Sequence, residues 1–284
     1  MPHTPIRNLL ADASERSVAV GAFNVILVET AEALVGAAES IGQPIVLQVS
    51  ENCVRYHGGL PPIANAALAI ARSSSVPVSL HLDHAEDRTL ISYAIALGFD
   101  SVMFDGSHLD YDENVAATAA VVREAHDSGV AVEAELGEVG GKDGVHAPGV
   151  RTDPAEARRF VESTGVDSLA VAVGSSHQMT SRTSELDLKL IAELRRAVDA
   201  PLVLHGSSGV ADDMIRAAVE AGIRKVNIST HLNRHFTDAV RSVLGSSTEI
   251  VDPRKYVHAG REAMSTETAR ILSFLTAPAS TVAR

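Results

Sequence analysis

Eight short, β-branched and almost unbroken apolar runs punctuate this chain, and they constrain its fold more than any other feature. They are 17–23 (SVAVGAF), 44–49 (PIVLQV), 76–82 (VPVSLHL), 101–104 (SVMF), 130–135 (VAVEAE), 168–173 (SLAVAV), 201–204 (PLVL) and 225–228 (KVNI). Runs without polar alternation suit strands buried on both faces, and parallel neighbours need a long crossover between them. Alanine-rich amphipathic stretches fill the gaps. Helices are predicted over 29–40, 87–97, 113–128, 153–164 and 212–221, each followed by a glycine (Gly42, Gly98, Gly129, Gly165, Gly222) suited to a left-handed cap.

The junctions LGFDSVMF, TGVDSLAV and AGIRKVNI repeat one step, from helix through glycine to strand. Eight such units close a barrel more readily than they extend an open sheet, and an eight-fold β/α barrel takes about 250 residues. The 284 residues are therefore read as one domain, a (β/α)8 TIM barrel with extra C-terminal helices. From 233 onward the chain reads as two helices joined around 245–247 and the turn at Asp252-Pro253, with 277–284 a frayed tail.

With 36 acidic against 24 basic residues, the chain repels nucleic acid and anionic membrane surfaces on average. A small anion remains compatible, because backbone amides and a metal can make a pocket locally positive. Cys53 is the only cysteine, so no intrachain disulfide forms and the cytoplasm is the expected location. The N-terminal string MPHTPIRNLLADASE lacks the pattern of a secretory signal, and no apolar stretch reaches the 18–20 residues of a membrane span.

In such barrels chemistry sits where strands end. The strand ends carry Ser50-Glu51-Asn52, Asp83-His84, Asp105-Gly106-Ser107, Glu133 and Glu135, Ser175-Ser176-His177, His205-Gly206-Ser207-Ser208 and Asn227-Ile228-Ser229-Thr230. Three of the 12 histidines, His84, His177 and His205, lie on that rim. Three imidazoles from separate strands would leave an open fourth position on a tetrahedral Zn2+; taken singly, each is equally an ordinary loop or capping residue. Asp83 can exchange a proton with a substrate hydroxyl, or simply cap the next helix, and it shares the site with His84 only if the chain turns between them. HGSSG (205–209) and NIST (227–230) supply backbone N–H groups at helix starts, suited to a phosphate or to plain turn chemistry. His81 reads as a packed interior residue or a partner of a metal ligand, with packing favoured. His231 and His235 have i, i+4 spacing but lack the glutamate of H-E-x-x-H, so a solvated helix face is the expectation.

The strings LHLDH (80–84), SVMFDGSH (101–108), ENVAATAAVVREAH (113–126), VEAELGEVGG (132–141), LVLHGSSG (202–209), KVNIST (225–230) and DPRKY (252–256) resemble the class II fructose-bisphosphate and tagatose-bisphosphate aldolase family along essentially the whole chain. The resemblance implies reversible aldol cleavage of a ketose phosphate to dihydroxyacetone phosphate and an aldehyde, with glyceraldehyde 3-phosphate the expected aldehyde. It implies zinc on His84, His177 and His205, with Asp105 and Glu135 able to take an alternative metal position. Asp83 would exchange the C4 hydroxyl proton and Asn227 would hydrogen-bond the enediolate. Gly206, Ser207, Ser208, Ile228, Ser229 and Thr230 would cradle the ketone phosphate, joined by a backbone N–H of Gln178 and with a monovalent cation, Na+ or K+, nearby. Ser50 and Arg254 would hold the aldehyde-side phosphate. The assembly implied is a homodimer or homotetramer.

Two strings depart from the family. Its mobile loop carries a glutamate base in GG-x-E-D, whereas this chain reads Gly140-Gly141-Lys142-Asp143-Gly144, making Asp143 the candidate base. Gln178-Met179 follows His177 where the family has glycine and an aromatic residue. Fructose-bisphosphate, tagatose-bisphosphate and an intermediate of inositol breakdown all remain open as substrates. A non-catalytic sugar-phosphate sensor and a metal-dependent epimerase or isomerase remain the competing readings.

Overall fold

The computed structural model describes residues 3–137, 150–177, 179 and 181–277. Its strands are β1 (Val20–Asn24), β2 (Ile45–Ser50), β3 (Val78–Ala85), β4 (Ser101–Phe104), β5 (Ala131–Leu136), β6 (Ser168–Val171), β7 (Leu202–Leu204) and β8 (Ile223–Ile228). They pair in chain order, all parallel, and β8 closes on β1. Each of the eight predicted runs overlaps one strand, and the fold is a (β/α)8 TIM barrel.

The helices are α1 (Ile6–Arg16), α2 (Val28–Ile41), α3 (Glu51–His57), α4 (Pro61–Ser73), α5 (Arg88–Leu97), α6 (Tyr111–Asp127), α7 (Pro154–Thr164), α8 (Leu188–Ala197), α9 (Asp212–Ala221), α10 (Thr230–Ser246) and α11 (Pro253–Leu275). Gly42, Gly98 and Gly165 are left-handed caps as expected. The cap of α6 is instead Ser128, with Gly129 one residue later, and Gly222 adopts φ 141°, outside the helical left-handed region. No helix among the described residues is long and apolar enough to cross a membrane. The expected tail lies, from 278 on, outside the described residues.

Alternation along each strand divides the interior into two cores. Outward-facing Phe23, Leu47, Leu80, Val102, Val132, Leu169, Leu202 and Val226 pack beneath the ring of helices. Val20, Ala22, Val46 and Ala131 face the barrel axis and meet Ile6, Leu9, Leu10 and Ala13 of α1, which plugs the barrel at the N-terminal ends of its strands. Burying each of the larger α1 side chains contributes about 1.5–3 kcal/mol. Above this plug the axis is polar: Gln48, Ser79, His81, Ser101, Glu133, Ser168 and Lys225 are all buried. A barrel filled with short and ionised side chains under one rim trades apolar burial for a scaffold that can orient the groups above it.

Three differences from the sequence expectations bear on the site. Strand β3 runs on to Ala85, carrying Asp83 and His84 within the strand instead of beyond it. Helix α10 begins at Thr230, directly off β8, not at residue 233. Helices α1, α3, α4 and α8 lie in segments where no helix is predicted; α1, α4 and α8 end without a glycine, at Ser17, Ser74 and Val198, while α3 is capped by Gly58 in the left-handed region.

Candidate active site

The turn that Asp83 and His84 need is present. The β3–β4 register shifts between Leu82 and Ala85, and His84 adopts φ 48°, a left-handed conformation costing a non-glycine residue roughly 1–3 kcal/mol. Both side chains consequently line one cleft at the C-terminal rim, together with His177, Gly206, Ser208, Asn227, Ser229 and Thr230. The helix cap beyond β3 is Asp87, whose carboxylate accepts from Thr89 N, so Asp83 is released from capping.

The rings of His84, His177 and His205 converge, with centroids 4.6 Å apart for His84 and His205, 4.9 Å for His84 and His177, and 5.9 Å for His177 and His205. Candidate ligand atoms of these three and of Glu135 all lie within 4.8 Å of one another. Nitrogen and carboxylate donors at that spacing suit a divalent transition ion. Asp105 stands outside that group. It is fully buried, its Oδ2 lies 2.7 Å from His84 Nδ1, and its Oδ1 accepts from Ser107 Oγ at 2.7 Å.

His205 is completely buried between two carboxylates, Nδ1 lying 3.1 Å from Glu135 and Nε2 3.0 Å from Glu133. Burial pushes its imidazole down, but the bonds to Glu133 and Glu135 outweigh that and raise it to about 9. The position thus calls for a positive charge. Glu133 in turn accepts from Lys225 Nζ at 2.8 Å and from Ser168 Oγ at 3.3 Å. Although burial would raise the Glu133 carboxyl, Lys225 and His205 hold it well below its ordinary value. A buried file thus runs from Lys225 through Glu133 to His205 and fixes the ring from behind.

Asp83 is 2 % exposed and accepts from three amides: Asn24 Nδ2 at 3.2 Å, Gln48 Nε2 at 3.4 Å and Asn227 Nδ2 at 3.3 Å. Burial opposes its charge, but His84, His205, His81 and Lys225 more than compensate and lower its pKa below the usual aspartate value. The group is a carboxylate held in place by neutral donors. His81, beneath it, is packed as expected, with Nδ1 2.7 Å from Ser101 Oγ; burial, with Lys225 nearby, pushes it down to about 3.

The opposite wall is built from backbone. Gly206 has φ 65°, and a Cβ there would meet the Ser176 backbone at 2.7 Å, so only glycine fits this turn. Ser207 Oγ donates to the Asn227 carbonyl, joining the β7 and β8 ends. Ser208 Oγ accepts from Ser229 N at 3.4 Å and His231 N at 3.2 Å, at the N-terminus of the 17-residue α10. Ile228 is buried under this turn. Helix dipole and amides make this end of the cleft attractive to a phosphate.

Ser50 lines the other end and caps α3, accepting from Cys53 N at 3.2 Å. Arg254 opens α11, is exposed, and is paired with Asp252 at 2.7 Å; it does not line the cleft. The cation on the cleft wall is Arg55, which donates to Glu51 at 2.5 Å. Asp143 and Gln178 lie outside the described residues. Sequence reasoning passed over Asn24, Gln48, Arg55 and the role of Lys225. The available signal was position: Gln48 is the polar residue of an otherwise apolar run and Asn24 directly follows another, each two residues along from an inward-facing apolar one, Val46 and Ala22.

A parallel barrel with histidines, carboxylates and a helix N-terminus around one rim cleft defines a site able to hold a divalent metal beside an anion-binding turn. The family model for class II fructose-bisphosphate aldolase matches residues 4–278. A fructose-bisphosphate aldolase of Staphylococcus aureus strain N315 is 40% identical over 268 residues, covering 93% of this chain and 94% of that protein. One of Staphylococcus epidermidis strain ATCC 12228 is 39% identical over the same shares. The crystal structure of the YdjI aldolase from Escherichia coli K12 superposes with a TM-score of 0.85 at 31% identity, over 98% of this chain and 99% of that one. The chain belongs to the class II fructose-bisphosphate aldolase family. It is an aldolase, a lyase of sugar phosphates, and its family generally works with a divalent metal.

Proposed function

We propose that this aldolase cleaves a ketose bisphosphate to dihydroxyacetone phosphate and glyceraldehyde 3-phosphate, and runs the reverse condensation, with zinc held by His84, His177 and His205. The observation that carries the reading is the carboxylate of Asp83, fixed by three amides beside the three convergent imidazoles. The donor set fits such an ion, and Glu135, within the same group, supplies an alternative ligand. When bound, the metal supplies Lewis-acid polarisation of the ketone oxygen.

The chain's own groups do the rest. The Gly206, Ser207 and Ser208 turn, with Ile228, Ser229 and Thr230, binds the ketone phosphate at the N-terminus of α10, with a monovalent cation and the Gln178 N–H beside it. That anchor points the reacting carbons at Asp83. In cleavage Asp83 takes the C4 hydroxyl proton, and in condensation it returns that proton to the nascent alkoxide. Asn227 gives one Nδ2 hydrogen to Asp83 and has the second to donate to an oxygen of the enediolate. Asp143 moves the C3 proton, a role that rests on the likeness of GGKDG to the family's loop. Ser50 and Arg55 receive the far phosphate, and Arg254 joins them only across a homodimer or homotetramer contact.

The test is a panel of phosphorylated ketoses assayed for triose phosphate release. Release of both triose phosphates from fructose 1,6-bisphosphate or its C4 epimer supports the assignment. Interconversion of ketoses without triose release contradicts it.

A further inference from the structure

The i, i+4 pair His231 and His235 does not face solvent alone. Their rings stand 4.8 Å apart near the start of α10, and Glu267 of α11 reaches across to both. Glu267 Oε1 lies 2.5 Å from His231 Nε2 and 3.9 Å from His235 Nε2. One candidate ligand atom from each of the three falls within 4.8 Å of the others, a grouping that shares no residue with the three-histidine cluster. Two of the side chains are nearly enclosed, His231 at 15% exposed and Glu267 at 11%, while His235 is at 40% and opens the group to solvent.

We propose that His231, His235 and Glu267 form a second divalent-metal site, selective for borderline ions such as zinc, cobalt or nickel, which clasps α10 to α11. Two imidazoles and one carboxylate are the donors such ions take, and the exposed side leaves a position for water. Metal–ligand bonds of about 2 Å place tetrahedral ligand atoms about 3.3 Å apart. The His231–Glu267 contact therefore opens by less than an ångström and the His235–Glu267 gap closes by a similar amount. Arg270 grips both oxygens of Glu267, Nε on Oε2 at 2.8 Å and Nη2 on Oε1 at 2.7 Å, and also bonds Asp212 at 2.5 Å, so the guanidinium fixes the carboxylate and shares with the metal the Oε1 that faces both histidines. The missing glutamate between the histidines excludes the metalloprotease use of this spacing and leaves a structural or regulatory one.

The consequence reaches the phosphate end of the cleft. His231 N donates to Ser208 Oγ, and Ser208, Ser229 and Thr230 line that end. A metal at the clasp therefore holds the first turn of α10 where a phosphate meets it.

This inference does not depend on the proposed reaction. Metal-free full-length protein is titrated with Co2+, by calorimetry and by visible absorption, in the wild type and in His235→Ala and Glu267→Gln. The expected result is two equivalents in the wild type and one in each variant, with circular dichroism showing both variants folded. Equal stoichiometry in wild type and His235→Ala overturns the proposal and leaves a histidine–carboxylate ion pair only. One equivalent in the wild type and none in the variants supports the clasp while contradicting metal at the three-histidine cluster.

Discussion

Nδ1 of His84 lies 2.7 Å from Oδ2 of the fully buried Asp105. The contact fixes the ring's orientation and leaves Nε2 as the nitrogen available to a metal. Because outer partners of this kind set ligand geometry, Asp105→Asn should weaken metal affinity by about 10- to 100-fold. Competition against a chromophoric chelator reads this directly. Unchanged affinity would assign Asp105 to folding alone.

Asp83 should be separable from metal binding. Its replacement by Asn keeps the shape but sets a fourth amide among three amide donors and removes the proton acceptor. The expected outcome is a kcat loss of about 100- to 10,000-fold with metal content unchanged. Near wild-type turnover in Asp83→Asn would reassign proton transfer to another group.

The buried pair Lys225–Glu133 should be costly to break on one side. Lys225 is fully buried with Nζ 2.8 Å from Glu133, so Lys225→Met strands a carboxylate under His205. A destabilisation of about 3–5 kcal/mol is expected in urea unfolding. Lys225→Met paired with Glu133→Gln should recover much of it.

Acid should loosen the plug at the base of the barrel. Asp167 accepts from Arg7, His126 and Val132 N. Partial burial opposes its charge, yet those bonds lower its pKa from 3.8. A carboxyl with a depressed folded pKa contributes stability that is present above its unfolded pKa and lost as pH falls through the folded one. Asp167→Asn should therefore flatten the fall in stability below about pH 4. Because Arg7 is partly exposed and screened, the cost near neutral pH should be only about 1.5 kcal/mol. Identical acid unfolding of variant and wild type contradicts this.

The barrel was legible because buried parallel strands leave a periodic apolar signature, which SVMF and SLAV display without side-chain ambiguity. The histidine trio was legible because all three lie at strand ends, and Asp83 because LHLDH is a specific string. Asn24 and Gln48 were not, since a polar residue in an apolar run gives no sign of whether it touches a carboxylate across three strands. Arg254 drew attention through DPRKY, but sequence does not show that Asp252 engages it at the surface while Arg55 reaches the cleft. The pairing of His231 and His235 with Glu267 depends on how α11 packs on α10, a tertiary fact invisible to local spacing.

If the three-histidine cluster holds the working metal, cleavage depends on that metal. The protein is stripped with a chelator, assayed for triose phosphate release from a ketose bisphosphate, then reloaded with zinc. Activity is expected to be lost on stripping, restored by zinc at the three-histidine cluster, and unrecoverable in His205→Ala. Activity that survives complete metal removal, or a Schiff base trapped by borohydride, would contradict this dependence.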